Sequence, residues 1–260
     1  MKKNVMELFS LRGKTALLTG GAGLYGRQMA EALCEAGANV FIASRNLEKL
    51  EAEAAKCGAT ALRLDLDSDE SIAEVVDTIY KRTGRFDILV NNAVTRCACG
   101  SWPTDSEYFD KSLHTNASAM FVLTKRVAEI MKKQRSGSII NVGSYMGLLG
   151  PNPVNYTGTE MFDFEKCSPI YFYEKGGMHN FTRFAASVLG HWNIRVNAIA
   201  PGGFFNNQPE AFVKQYGANT MLGRLANDED MKGIIVFLAS EASSYLTGAV
   251  IPVDGGYTAK

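Results

Sequence analysis

Lys14-Thr15-Ala16-Leu17-Leu18-Thr19-Gly20-Gly21-Ala22-Gly23-Leu24-Tyr25-Gly26 is the stretch that decides how this chain folds. A short apolar run ends in glycines, the pattern of a buried strand entering a tight turn. RQMAEALCEAG follows, with apolar residues at helical spacing and Gly37 as a stop signal. Strand, glycine turn and helix in that order bring backbone N–H groups and the positive end of a helix dipole to one point, where a pyrophosphate can be held. Gly20, Gly23, Leu24, Tyr25 and Gly26 are therefore expected against the phosphates of a dinucleotide. The second strand, 39–44, ends where the two nicotinamide dinucleotides are told apart. An acid there grips the ribose 2′-hydroxyl of NAD, whereas an arginine suits the 2′-phosphate of NADP. Ser44-Arg45 stands there with no acid, so NADP is expected and NAD is the alternative.

The remaining chain continues the alternation. Apolar runs at 61–64, 86–90, 138–142, 194–199 and 248–253 read as strands three to seven. Helical patterns lie between them, including a long one over Asp105 to Lys133, one beginning near Tyr171 and one over Asp228 to Ser240. Strands alternating with helices predict right-handed β-α-β units and a parallel sheet covered on both faces. The expected architecture is a doubly wound, seven-stranded, three-layer α/β/α domain spanning 1–260. No linker, low-complexity segment or internal repeat interrupts it.

Composition narrows the function classes. The 260 residues are 46% hydrophobic and 21% charged, enough apolar side chain for a full core. Lys plus Arg equals Asp plus Glu at 27 each, so no net field draws nucleic acid or an anionic membrane. Glu7 and Arg12 interrupt any signal-peptide core in MKKNVMELFSLRGK, and nowhere do eighteen apolar residues run together. The cysteines at 34, 57, 97, 99 and 167 are odd in number and follow no framework spacing, which suggests free thiols in a reducing compartment; the expected location is the cytoplasm. Cys97 and Cys99 lack a Cys/His partner set, so no metal is expected.

Chemistry concentrates between Ser144 and Lys175. Tyr171 and Lys175 are four residues apart on a predicted helix, hence on one face. An ammonium beside a phenol favours the phenolate, lowering the tyrosine pKa from its usual ~10. Tyr171 is thus a candidate general acid/base. Taken alone, the pair would be an aromatic ring packed on a lysine stem.

The motifs in order resemble the short-chain dehydrogenase/reductase family, from about Leu11 to Tyr257. They are TGGAGLYG at 19–26, Asp65 after the third strand, NNA at 91–93, Asn116 in HTNASAMFVLTK, Ser144 in INVGS, Tyr171 with Lys175, and Pro201-Gly202 after NAIA. The tail LGRLANDEDMKGIIVFLASEASSYLTGAVIPVDGGY looks like the compact branch. The resemblance implies a Rossmann-like sheet and a tetrad of Asn116, Ser144, Tyr171 and Lys175. In it Tyr171 transfers the proton, Ser144 holds the substrate oxygen, Lys175 lowers the tyrosine pKa and binds the nicotinamide ribose, and Asn116 holds a water of the proton relay. It also implies cofactor contacts from Asp65, Leu66, Asn91, Asn92, Ala93, Tyr171, Lys175, Pro201, Gly202 and Phe204. The family commonly forms tetramers through its long fourth and fifth helices and C-terminal strand, so a homotetramer or homodimer is expected.

Three departures stand out. Leu24 occupies the middle glycine of the compact-branch loop, and Val94 replaces the glycine of NNAG. Ser144 and Tyr171 are unusually far apart, separated by the active-site insertion within 145–170. Tyr156 falls near the usual tyrosine distance, but Glu160 stands where its lysine should be, and a carboxylate would raise a phenol pKa.

Loops 94–104, 145–170 and 202–226 should form the substrate crevice, the last as a mobile lid. Substrate contacts are expected from Ser144, Met146, Tyr156 and Tyr171. Asn152, Asn155, Tyr156, Thr157, Glu160, Asn206, Asn207 and Gln208 suit a small polar substrate such as a sugar, sugar acid or polyol. Trp102, Met146, Phe162, Phe204 and Phe205 could serve a hydrophobic ketone or 3-oxoacyl group, although clustered cations for a carrier-protein thioester are scarce. A dinucleotide-binding sensor or scaffold without turnover is the alternative of another class.

Overall fold

The computed structural model describes residues 2–95, 102, 105–161 and 168–260. Seven parallel strands form one sheet in the order β3-β2-β1-β4-β5-β6-β7. They are β1 Thr15–Thr19, β2 Asn39–Ser44, β3 Thr60–Arg63, β4 Ile88–Asn91, β5 Gly137–Val142, β6 Ile194–Pro201 and β7 Val250–Val253. Chain order reverses between β1 and β4, whose register pairs Ala16 with Ile88 and Leu18 with Val90. A doubly wound sheet opens its binding crevice at such a reversal, beyond the carboxyl ends of the strands.

Both faces are covered. The helices are α1 Val5–Phe9, α2 Leu24–Glu35, α3 Leu47–Cys57, α4 Asp69–Thr83, α5 Ser106–Leu113, α6 Ala119–Gln134, α7 Pro169–Leu189, α8 Glu210–Asn219 and α9 Lys232–Ala239. Side chains alternate across a strand, so β1 sends Leu17 to one face and Ala16 and Leu18 to the other. Leu17 joins Ile79 of α4, Val127 of α6 and Leu189 of α7. Leu18 joins Leu33 of α2, Leu50 of α3 and Ile235 of α9. Buried on both faces, the strands read as the continuous apolar runs seen in the sequence.

Local chemistry sets the element ends. Asn46 and Ser68 cap α3 and α4 by accepting the N–H groups of Lys49 and Ser71. Gly58 and Gly84 end the same helices in the left-handed conformation. Two helical expectations are corrected. The single helix over Asp105 to Lys133 is α5 and α6 joined by a π turn at His114–Ser118, where the Ala119 N–H reaches the His114 C=O. The helix expected from Asp228 begins at Lys232, because side chains hold the preceding turn: Asp230 accepts the Asn227 N–H at 2.7 Å and Asn227 accepts that of Glu229 at 2.9 Å.

The segment 202–226 is tied at both ends, since the Ala226 N–H donates to the Gly203 C=O at 2.8 Å and the Phe205 N–H to the Ala226 C=O at 3.0 Å. Within the insertion, Pro153–Tyr156 form a 3₁₀ turn beneath α8. Asn155 is buried there; its amide donates to the Tyr257 hydroxyl at 2.8 Å and accepts from Asn219 at 3.0 Å. Cys97, Cys99, Phe162 and Cys167 lie outside the described residues. Among the described residues, no three His, Cys, Asp or Glu side chains could hold a metal, and no helix is long and apolar enough to cross a membrane.

Candidate active site

The glycine turn is built by close approach. Gly20 takes a positive φ of 70° and accepts the Gly23 N–H at 3.0 Å. A Cβ on Gly26 would collide with the Gly20 carbonyl oxygen and stand 3.0 Å from the α-carbon of Gly21. Only hydrogen fits, so the first turn of α2 presses onto the loop. Gly23 offers that turn no side-chain cap, leaving helix N–H groups facing the crevice. Asn92 braces the loop by donating to the carbonyls of Thr19 and Gly20 at 2.9 and 3.1 Å. Across the crevice the Tyr25 hydroxyl donates to the Gly202 C=O at 2.8 Å, and its ring meets Phe204 edge-on at 5.3 Å. Burial raises the Tyr25 pKa far above its ordinary value, which keeps that donor protonated.

A cleft of about 640 Å³ runs from this turn past Asn92 and Ala93 to Ser144, Tyr171 and Lys175. Of the expected catalytic and cofactor residues, all line it except Arg45, Asp65, Leu66, Asn91 and Asn116. Leu66, Asn91 and Asn116 instead surround a small adjoining pocket with Ala93. Of the polar and aromatic loop residues expected at the substrate, Trp102, Asn152, Asn155, Thr157, Glu160, Phe205 and Asn207 do not line the cleft. Asn152 is spent on the Val154 N–H, and Asn155 on Tyr257 and Asn219. The Asn91 amide is buried and spent on Thr124 and Asn141, at 3.0 and 2.9 Å, so it ties β4 to β5 and α6. Asp65 accepts the Asp67 N–H at 3.1 Å, holding the turn after β3. Arg45 is exposed and precedes the Asn46 cap, whereas Lys49, in the first turn of α3, reaches the cleft beside Ser44.

At the reacting end, Ser144 follows β5 and is buried; its hydroxyl accepts the Met146 N–H at 3.1 Å. Lys175 is 4% exposed, donates to the Val142 C=O at 2.8 Å, and holds its ammonium 5.7 Å from the centre of the Tyr171 ring. Asn116 sits in the π turn with its amide closed on Thr95: Oδ1 accepts the Thr95 N–H at 2.8 Å and Nδ2 donates to the Thr95 C=O at 2.9 Å. One turn beyond Lys175, the buried His179 packs on the turn that carries Ser144. Burial, then the charges of Lys175 and Arg183, lower its pKa.

Tyr156 lines the cleft with Phe212 of α8 beside it, ring centres 5.3 Å apart. Behind them the Tyr216 hydroxyl accepts the Gly203 N–H at 2.6 Å, while its ring stacks on Tyr257 and meets Tyr145 edge-on at 6.0 Å. Burial pushes the Tyr216 pKa up to about 12. Sequence reasoning missed Lys49, Tyr145, Phe212 and Tyr216. Phe212 and Tyr216 at i and i+4 inside the expected lid were the available signal.

Fold and cleft define a dinucleotide-binding α/β protein with a serine, a tyrosine and a lysine at one end of its crevice. Residues 23–258 match the family described as enoyl-(acyl carrier protein) reductase. The 3-oxoacyl-[acyl-carrier-protein] reductase of Thermotoga maritima is 34% identical over 257 residues, 95% of this chain and 98% of its own. A short-chain type dehydrogenase/reductase from Mycobacterium marinum superposes with a TM-score of 0.85 at 30% identity, covering 99% of this chain and 100% of the other. A gluconate 5-dehydrogenase from Burkholderia cenocepacia, in complex with NADP and tartrate, gives a TM-score of 0.87 at 26% identity over 99% and 100% of the two chains. The chain belongs to the short-chain dehydrogenase/reductase family and is an oxidoreductase. Its cofactor class is NAD(P).

Proposed function

We propose that this protein interconverts a secondary alcohol and a ketone with NADP, and that its substrate is small and polar, a sugar, sugar acid or polyol. The observation that carries the reading is the meeting of Ser144, Tyr171 and Lys175 in the same cleft as the glycine turn. The residues present suit the cofactor. The turn excludes side chains where a pyrophosphate must approach, and Ser44 with Lys49 offers a hydroxyl and a cation where a 2′-phosphate would lie. The nicotinamide, when bound, supplies or accepts the hydride.

The chain's own groups do the rest. Tyr171 gives or takes the proton at the substrate oxygen. Ser144 accepts the Met146 N–H with one of its lone pairs, so that its own hydrogen can donate to that oxygen as charge develops. Lys175, anchored on the Val142 C=O, brings its ammonium to the Tyr171 side of the cleft, where it favours the phenolate and binds the ribose. With its side chain closed on Thr95, Asn116 acts as a structural member of the tetrad, and any relay water would be held through its main chain. For the substrate, Asn206 offers an amide; that of Gln208 is spent holding the loop, accepting the Asn206 N–H and donating to the Phe204 C=O.

A second reading is reduction of a 3-oxoacyl group. It is favoured by the Thermotoga relative and by an aromatic wall of Tyr156 and Phe212 that could take an alkyl chain. Absorbance of NADPH and NADH, followed with keto-sugar acids, polyols and acetoacetyl thioesters, separates the two. Tyr171→Phe should cut turnover by at least about a hundredfold while leaving NADPH affinity within about twofold. Normal turnover in that variant would remove Tyr171 from its role, and silence across every substrate with NADPH bound tightly would favour a sensor.

A further inference from the structure

We propose that Glu174 is a positioning residue for the reaction: its buried carboxylate fixes the side-chain amide of Asn116, and through it the Thr95 segment beside the cleft. The inference rests on the reading of Asn116, Ser144, Tyr171 and Lys175 as one working set.

Glu174 immediately precedes Lys175 on α7, so it is turned about 100° around the helix from it. It meets α5 and the π turn while Lys175 lines the cleft. It is 7% exposed, and among the described residues no lysine, arginine or histidine pairs with it. A carboxylate buried without a cation is retained only where hydrogen bonds replace water. Here they come from the Ser112 hydroxyl at 2.7 Å and from Asn116 Nδ2, at 3.1 and 3.3 Å from the two carboxylate oxygens.

These contacts settle which way the Asn116 amide points. Its oxygen takes the Thr95 N–H; one amide hydrogen goes to the Thr95 C=O and the other is shared by the carboxylate and, at 3.3 Å, the Ser112 hydroxyl oxygen. Flipped, the amide would set its oxygen against the carboxylate and its NH₂ against the Thr95 N–H. Ala93 and Val94, directly before Thr95, line the cleft. One helix therefore carries the acid/base pair on one face and the clamp for Asn116 on the neighbouring face, so the two keep a fixed relation.

The test uses the full chain with Glu174→Leu, which keeps the bulk and removes the acceptors, and Glu174→Gln as a milder variant should the first not fold. Hydrogen exchange of the peptide containing Thr95 needs no substrate, and its protection should fall about tenfold in the leucine variant. Turnover should fall about tenfold, with the Kd for NADPH within about threefold, using 5-keto-gluconate or an acetoacetyl thioester, whichever the unaltered protein reduces. Because Glu174 acts through Asn116, adding Glu174→Leu to Asn116→Ala should change turnover by less than about twofold. Unchanged Thr95 exchange, or losses that multiply in the double variant, would overturn the proposal. Should Asn116→Ala turn over normally, the working set itself fails, while Thr95 exchange still judges Glu174.

Discussion

Gly143→Ala isolates the packing that joins Ser144 to Lys175. Gly143 lies between β5 and Ser144 and is not among the glycines with positive φ, so the backbone accepts alanine. Space does not. The new Cβ would stand 2.8 Å from Cδ2 of His179, closer still to its Nε2, and 3.1 Å from the Ile199 carbonyl oxygen. Ordinary contact needs about 3.5 Å, so the ring, whose Nε2 makes the tightest contact, must retreat by more than ~1 Å. Its room is limited: the ring is 3% exposed and already packs against the bare face of Gly147. The displacement passes to α7, where Lys175 is one turn away, or to the end of β5, where Ser144 is next in line. Overpacking of this kind costs about 1–3 kcal/mol. For a domain of this size that is a fall of roughly 2–10 °C in Tm. Turnover should drop with it. Emptying the ring's place with His179→Ala should recover about 1 kcal/mol or more in the double variant, a coupling readable from calorimetric unfolding of the four proteins. A Gly143→Ala protein melting within about 1 °C of the parent, or a double variant whose loss is the sum of the singles, would refute the wedge.

Two further outcomes are expected. Lys49→Glu should raise the KM for NADPH about tenfold and leave that for NADH within about twofold, with Arg45→Ala weaker in effect; equal changes for both cofactors in steady-state assays would remove Lys49 from the 2′-phosphate. His179, with a folded pKa below its ordinary 6.5, contributes stability that is complete above that value. The stability is lost as the pH falls from 6.5 through the folded pKa, by at most ~1.4 kcal/mol per unit. Denaturant unfolding between pH 7.5 and 4.5 should therefore steepen in the parent relative to His179→Leu, and parallel curves would show that the imidazole does not titrate with folding.

The strands and the glycine turn were legible because their signals are local. An apolar run, a glycine group and a helical period each occupy one window of sequence, and burial on both faces removes the ambiguity of alternation. Tyr171 and Lys175 were legible for the same reason, being one turn apart. Asn116 could be located, but its conduct could not: nothing in HTNASAMF announces a π turn, because the extra residue per turn is stabilised from outside, by Thr95 and Glu174. Arg45 and Lys49 show the same limit at smaller scale. Both are cations near the end of β2, and only the Asn46 cap, which starts α3 between them, decides which one reaches the cleft.

The insertion makes the point most fully. From sequence, 145–170 is a polar loop beside the substrate, and loops are polar wherever they lie. Its meaning comes from Asn155, whose one amide meets α8 through Asn219 and the C-terminal segment through Tyr257. Tyr257 stacks on Tyr216, which in turn holds Gly203 on the rim of the cleft. Three segments distant in the chain thus share a single buried polar contact, and a buried amide satisfied on both sides is costly to disturb. The wall bearing Tyr156 and Phe212 is therefore braced as one piece with the 202–226 segment, so closure over the cleft would have to carry the Pro153–Tyr156 turn along with α8.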